Sequence, residues 1–273
     1  SHIREVDAVA YVLRCFEDDD ITHVENRIDP IADAEVVETE LMLSDLESLE
    51  KRRLPLEKKA KGGDKEAKAQ LAIIDKALPL LREGKPARLT EVTPEELPLF
   101  RQLQLLTSKP VLYVCNVNEA DATGGNAHTE RVQERAKQEH AACVVICAQL
   151  EAEIAALSDD EQTEFLATVG LQEPGLTKLI HAGYDLLDLR TYFTVGPKEA
   201  RAWTIQKGWT APQAAGVIHG DFEKGFIRAE TISFEDFVAF NGEQGAKEAG
   251  KMRLEGKEYV VKEGDVMHFR FNA

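Results

Sequence analysis

Pro110-Val-Leu-Tyr-Val-Cys-Asn-Val-Asn-Glu119 is an unbroken apolar run that stops abruptly in a polar Asn-x-x-Glu. A strand buried on both faces reads as such a run, because no alternate side chain meets water. In open α/β sheets the carboxyl ends of the strands are where ligands are held. Working outward, two further runs have the same character: Asp7-Ala-Val-Ala-Tyr-Val-Leu-Arg-Cys-Phe16 upstream and Cys143-Val-Val-Ile-Cys-Ala-Gln149 downstream. Between the second and third lies a polar stretch, His128 to His140, rich in helix formers. Strand, crossover helix, strand predicts a parallel α/β domain over residues 1–30 and 105–189.

The Asn-x-x-Glu ending has two readings. In one, Asn116, Val117, Asn118 and Glu119 form a base-reading loop, similar to the Asn-Lys-x-Asp element of GTP-binding proteins. Guanine presents two adjacent donors that one short carboxylate accepts together, whereas adenine presents a donor beside an acceptor. Glu119 in place of that Asp therefore suggests a lost guanine fork and a preference for ATP. In the other reading the strand simply ends and its Asn caps the next turn.

The 273 residues carry a net charge of −16 and 43% apolar side chains, enough for two or three ordinary cores without general affinity for nucleic acid. No run is long enough to span a bilayer and no charged-then-apolar leader is present, which predicts a cytoplasmic protein. Cys15, Cys115, Cys143 and Cys147 all fall in apolar strand runs, with no C-x-x-C pair or histidine cluster. Buried, reduced thiols are expected, and no protein-held metal.

Residues 31–104 differ in character. From Ile31 to Lys61 charged residues and leucines mix at helical spacing, and Pro55 is expected to kink or interrupt that helix. Gly62-Gly63-Asp64 signals a turn, after which Leu71, Ile74, Leu78 and Leu81 form an apolar seam. Two helices folded back as an inserted hairpin follow from this. Gly84 and Pro86 end the second, and Thr93-Pro94 opens a short third. Lys51, Arg52, Arg53, Lys58, Lys59, Lys61, Lys65 and Lys68 oppose only Glu57, Asp64 and Glu66 across residues 51–68, a local +5 in an acidic chain. Such a run is either an ordinary solvated helix face or a contact for RNA phosphates.

From Arg190 the pattern changes again. Thr191 to Val195 and Ala200 to Ile205 alternate like strands joined at Gly196-Pro197. Thr210-Ala-Pro-Gln213 matches a capping box for a helix running to about Glu223. Strands are expected at Phe226 to Thr231, Tyr259 to Val261 and Val266 to Phe271, which gives residues 190–273 a ubiquitin-like β-grasp outline. Trp203, Trp209, Phe222 and Phe226 are either base-stacking or core residues.

Four passages together resemble the Obg-like ATPases of the YchF family over the whole chain: Ser1-His-Ile-Arg-Glu-Val-Asp7 running into Arg14-Cys-Phe-Glu17 and His23-Val24, Lys59-Ala-Lys-Gly-Gly-Asp-Lys65, Pro110 to Glu119, and Asp221 to Asp236. The resemblance implies a P-loop NTPase-like Obg-type domain, partial here, with the helical hairpin inserted and a C-terminal TGS domain. It implies a monomeric, ribosome-associated ATPase, GTP being the alternative substrate, that docks on rRNA through hairpin and TGS domain. By the same resemblance, Cys147, Ala148 and Gln149 stand where relatives carry a Ser-Ala-Lys loop over the base, and His23 orients the attacking water. No G-x-x-x-x-G-K-[ST] occurs in the sequence. The family's phosphate loop and its Mg²⁺ ligands are expected upstream of these residues, so this chain alone is expected to bind ATP weakly. A purely docking, non-catalytic role and a GTPase tolerant of Glu119 are the rival expectations.

Overall fold

The computed structural model describes residues 2–18 and 27–272, which fall into two compact units, Ser1–Leu186 and Leu187–Ala273. Unit 1 is built on a parallel sheet of order β1-β2-β3, with β1 at Val9–Arg14, β2 at Val111–Asn116 and β3 at Ala142–Ile146. Register runs from Val9 opposite Val111 to Arg14 opposite Asn116, and from Leu112 opposite Ala142 to Asn116 opposite Ile146. All three apolar runs thus end at one edge of the sheet.

Helix α1 (Pro30–Lys61) follows β1 and is capped by Asp29, whose side chain accepts from the Ala32 amide. It runs through Pro55 without a break, contrary to the expected interruption. Pro55 sits on the exposed side, where the carbonyl one turn earlier can find water instead of the missing N–H. Asp64 caps α2 (Lys65–Arg82), accepting from the Glu66 and Ala67 amides, and α2 likewise passes through Pro79. The pairs Arg53–Asp75 and Arg82–Glu50 tie the helices in an antiparallel sense. Leu49, Ile73, Ile74, Ala77, Leu78 and Leu81 fill a core separate from that of the sheet. Gly84, at φ +70°, turns the chain out of α2 while the Lys85 amide reaches back to the Leu80 carbonyl. Thr93 and Glu96 bond reciprocally as a capping box, but α3 (Leu97–Gln102) starts only after a turn at residues 94–96.

Asp45 of α1 is fully buried and accepts from the Leu106 amide, the Thr107 amide and the Thr107 hydroxyl, each at 2.8 Å. It pins the chain entering β2 to the long helix. Helix α4 (Ala127–Glu139) crosses from β2 to β3 and ends on His140 in the left-handed region. Then come α5 (Ala148–Ile154), α6 (Asp159–Thr168) and α7 (Gly175–Leu186). Tyr11, Leu13, Tyr113, Cys115, Val132 and Ala136 form the core under α4. α7 packs on β2 and β3, with Gly175 against Ile146 so closely that a Cβ there would fall 2.8 Å from its side chain.

Unit 2 is a mixed five-stranded sheet of order β5-β4-β8-β6-β7: β4 Leu189–Val195, β5 Ala200–Gln206, β6 Phe226–Ser233, β7 Arg253–Glu255 and β8 Asp265–Phe271. The β4–β5 hairpin is antiparallel, and β8 lies centrally, parallel to β4 and antiparallel to β6. The Thr210–Gln213 capping box opens α8 (Ala211–Ile218). The expected single helix to Glu223 breaks at His219, extended at φ −162°, whose ring caps α9 (Gly220–Lys224). Residues 259–261 are not a strand; Val260 makes only a bridge to Thr210. The strand in this region is β7, which sequence reading missed. Two short helices, α10 (Phe234–Ala239) and α11 (Glu243–Glu248), complete the unit.

Candidate functional site

Asn116 ends β2, half-buried, and its side-chain oxygen accepts the Ala148 amide at 3.0 Å. That bond clasps the loop after β2 to the loop after β3. The Asn116 carbonyl meanwhile accepts the Cys15 amide at 2.8 Å, so the ends of all three strands meet on this residue. Buried Val117 gives its amide to the Ile146 carbonyl, which leaves its own carbonyl as what it can offer a ligand. The capping reading of the motif applies to Asn118, whose side chain accepts the Asp121 amide at 3.0 Å to start a 3-10 turn. Glu119 opens that turn, exposed; its carbonyl accepts the Ala122 amide, while its carboxylate has no hydrogen bond or ion pair among the described residues.

Two further residues complete the loop, and sequence reading missed both. Asn126 caps α4 and uses its amide nitrogen to reach the Cys15 carbonyl at 2.7 Å and the Asp121 carboxylate at 2.8 Å. Their signal was present as Asn126-x-x-Thr129, a capping box. On the other side Cys147 is the cap residue of α5, buried, so it stands outside the strand in which it was expected. Ala148 and Gln149 are exposed. Since the Ala148 amide already serves Asn116, it is not a spare donor for a base. Glu151 anchors α5 by accepting the Gly175 and Leu176 amides at 2.6 and 2.9 Å.

A charged cluster joins α1 and the 3-10 turn at Ala87–Leu89 to the last turns of α4. Arg88 and Arg135 pair with Glu38, which is 9% exposed, and with Glu139, which also accepts the Tyr113 hydroxyl at 2.7 Å. Burial, then the Glu38 charge, pushes the Tyr11 hydroxyl up to about 12. Cys115 and Cys143 lie with sulfurs 3.8 Å apart and both are free thiols.

The basic run divides in two. Lys51 pairs with Glu47, Arg53 with Glu57 and Asp75, and Arg52 donates to the Leu103 carbonyl at 3.0 Å. Arg52 and Arg53 are thus tied to the fold, while Lys51 sits in an exposed pair one turn along the helix, worth little in water. Lys58, Lys59, Lys61, Lys65 and Lys68 surround the turn at the tip, exposed and without an ion-pair partner among the described residues. His23 lies outside the described residues. Among the described residues the one group of three possible metal ligands is Glu230, Glu243 and His268 in unit 2. No described helix is long and apolar enough to cross a membrane.

Comparison with known proteins bears on both units. A family model, YchF-GTPase_C, described as a protein of unknown function (DUF933), matches residues 189–272. The "Ribosome-binding ATPase YchF" of Haemophilus influenzae is 55% identical over 273 residues, covering all of this chain and 75% of that protein. The protein of the same name from Bacillus subtilis is 53% identical over 275 residues, again with 100% and 75% coverage. The solved structure of the Schizosaccharomyces pombe YchF GTPase matches with a TM-score of 0.82 at 34% identity, covering 98% of this chain and 73% of that one.

Proposed function

The chain belongs to the YchF family, and from that premise we propose that it serves a cytoplasmic, ribosome-associated nucleoside triphosphatase. ATP is the preferred substrate and ADP the product, and Asn116, Val117, Asn118 and Glu119 read the base. The observation that carries this reading is the Asn116–Ala148 clasp at the carboxyl edge of the sheet. A base seated there would lie between a loop held by Asn116 and the turn at Cys147, Ala148 and Gln149. The exposed, unpartnered carboxylate of Glu119 is available to it.

The triphosphate needs a cradle of backbone N–H groups, a lysine and a metal-holding hydroxyl. The sequence has no G-x-x-x-x-G-K-[ST] to provide them. These residues by themselves should therefore bind ATP weakly, with Mg²⁺ arriving on the phosphates. His23 remains the proposed water-orienting residue, by family resemblance.

Docking on ribosomal RNA we assign to the five free lysines at the hairpin tip, and to unit 2, read as a β-grasp TGS domain. The sheet order, with the last strand central and parallel to the first, supports that reading of unit 2. Two measurements test the proposal. In full-length protein carrying a phosphate loop, Glu119→Asp should raise GTP affinity relative to ATP; an unchanged ratio sinks the base-reading role. Charge reversal at Lys58, Lys59 and Lys61 should abolish ribosome co-sedimentation, and retention would return the tip to ordinary surface.

A further inference from the structure

Unit 2 carries a concave feature that the sequence does not announce. Between the β4–β5 hairpin, the end of α8 and the face of β8 lies a cavity of about 530 Å³, within the ordinary size range for small-ligand sites. Trp203, Phe222 and Phe271 line it half-exposed, above a floor that includes buried Phe269. Phe222 and Phe271 stack with centroids 3.8 Å apart. The Trp203 indole is locked in place by its N–H, donated to the Thr194 hydroxyl at 2.8 Å. Trp203 and Phe222 pack against the core of the unit, yet both stay half-exposed beside the gap, so part of each ring remains open to a ligand.

Two cations, Lys198 and Arg201, and one carboxylate, Glu199, stand near the cavity. Arg201 lies over the Trp203 ring with its guanidinium carbon 4.1 Å from the centroid. Lys198 lines the mouth from the hairpin turn. Neither has an ion-pair partner among the described residues, in a chain whose net charge is −16. Glu199 is the carboxylate at the same mouth. Flat apolar faces backed by a guanidinium suit a planar π-system, and the free cations suit an anion attached to it. A ligand with a planar heterocycle and a phosphate within one residue's length meets both conditions.

We propose that this groove holds an unpaired nucleotide of a single RNA strand. Its base packs on Trp203 and the Phe222–Phe271 pair, and its phosphates lie toward Lys198 and Arg201. The inference rests on the reading of the family member as a ribosome-docking protein, but places an RNA contact at residues which that reading leaves unspecified.

The test uses a six-residue oligoadenylate and the chain with Trp209→Phe, which leaves Trp203 as the only tryptophan. Saturable quenching of Trp203 fluorescence is expected. Replacing Lys198 and Arg201 together by Ala should weaken it about tenfold, with a smaller dependence on salt. Glu199→Gln should tighten it. The triple charge reversal at Lys58, Lys59 and Lys61 should leave quenching unchanged, so that loss of ribosome docking through the hairpin is told apart from loss of this groove. Quenching absent at millimolar oligomer overturns the proposal. So does AMP binding as tightly as the hexamer, which would make the groove a free-nucleotide site. As a check without substitutions, a 4-thiouridine oligomer photocrosslinked to the unsubstituted chain should label peptides containing Trp203 or Phe222; labels confined to residues 51–68 also overturn it.

Discussion

Replacing Asp45 by Ala should destabilise unit 1 as much as truncating one of the fully buried aliphatic side chains of the hairpin. One carboxylate there accepts three short bonds, from the Leu106 amide, the Thr107 amide and the Thr107 hydroxyl, and Arg4 lies 3.4 Å away. Bonds to a charged group are each worth about 1.5–3 kcal/mol net. The three are not additive, since water entering the vacated space recovers part of the loss. We therefore expect a loss of about 4 kcal/mol. For a unit of this size that corresponds to roughly 10 °C in melting temperature. Asp45→Asn keeps one acceptor oxygen but turns an NH₂ toward a donor, and should lose about half as much. The two tryptophans, Trp203 and Trp209, both lie in unit 2. Far-ultraviolet circular dichroism follows the long helices of unit 1, while tryptophan fluorescence follows unit 2 and serves as an internal control. A circular-dichroism midpoint that moves by less than about 1 kcal/mol in Asp45→Ala would refute the idea that this carboxylate is the joint between α1 and β2.

Asn116→Ala removes the clasp to Ala148 and should lower urea stability by about 1 kcal/mol, with faster hydrogen exchange at the Ala148 amide; unaltered exchange there would count against the clasp. Alkaline pH should weaken the fold. Tyr11, Tyr113, Tyr192 and Tyr259 all have their ionisation pushed upward, chiefly by burial, Tyr11 and Tyr259 to about 12. A phenol with a raised folded value adds stability that is complete below its unfolded value near 10 and is lost as pH climbs from there toward the folded value. Denaturation midpoints should thus fall between pH 10 and 12, and absorbance near 295 nm at pH 11 should show these rings still un-ionised in folded protein. Full phenolate absorbance from folded protein at that pH would contradict the burial argument.

Much of unit 1 could be read in the sequence because its signals are local and strong. Three continuous apolar runs became three parallel strands, and Ile74, Leu78 and Leu81 of the expected seam lie on the buried face of α2, joined there by Ile73 and Ala77 while Leu71 stays half-buried. The misreadings share a cause: in each a neighbour outweighed the local rule. Pro55 was absorbed by a helix whose other bonds outnumber the one lost. The break at His219 arises because its ring supplies a cap for Asp221 and starts a second short helix. Cys147 reads as strand by composition, yet the Asn116 clasp at Ala148 turns the chain into α5 there. At the candidate loop, Asn116 was visible as a polar stop in an apolar run. Asp121 and Asn126 were not, because their meaning depends on the Cys15 carbonyl, which is more than a hundred residues away in sequence. The tip lysines were visible as charge alone; which of the basic residues remain unpaired depends on Glu47, Glu57, Asp75 and the Leu103 carbonyl.

The pairing of Val9 with Val111 has a consequence for how the chain reaches its native state. Closing a loop of about a hundred residues before any reward is among the slow steps of folding. The intervening helices shorten that search. α1 and α2 meet through a three-residue turn and contacts close in sequence, so they can zip early. Once they have done so, Asp45 can hold Leu106 and Thr107, and the start of β2 is delivered to the helix that follows β1. The insertion thus acts as a splint during folding, and the strand that ends in Asn116 should be ordered after it.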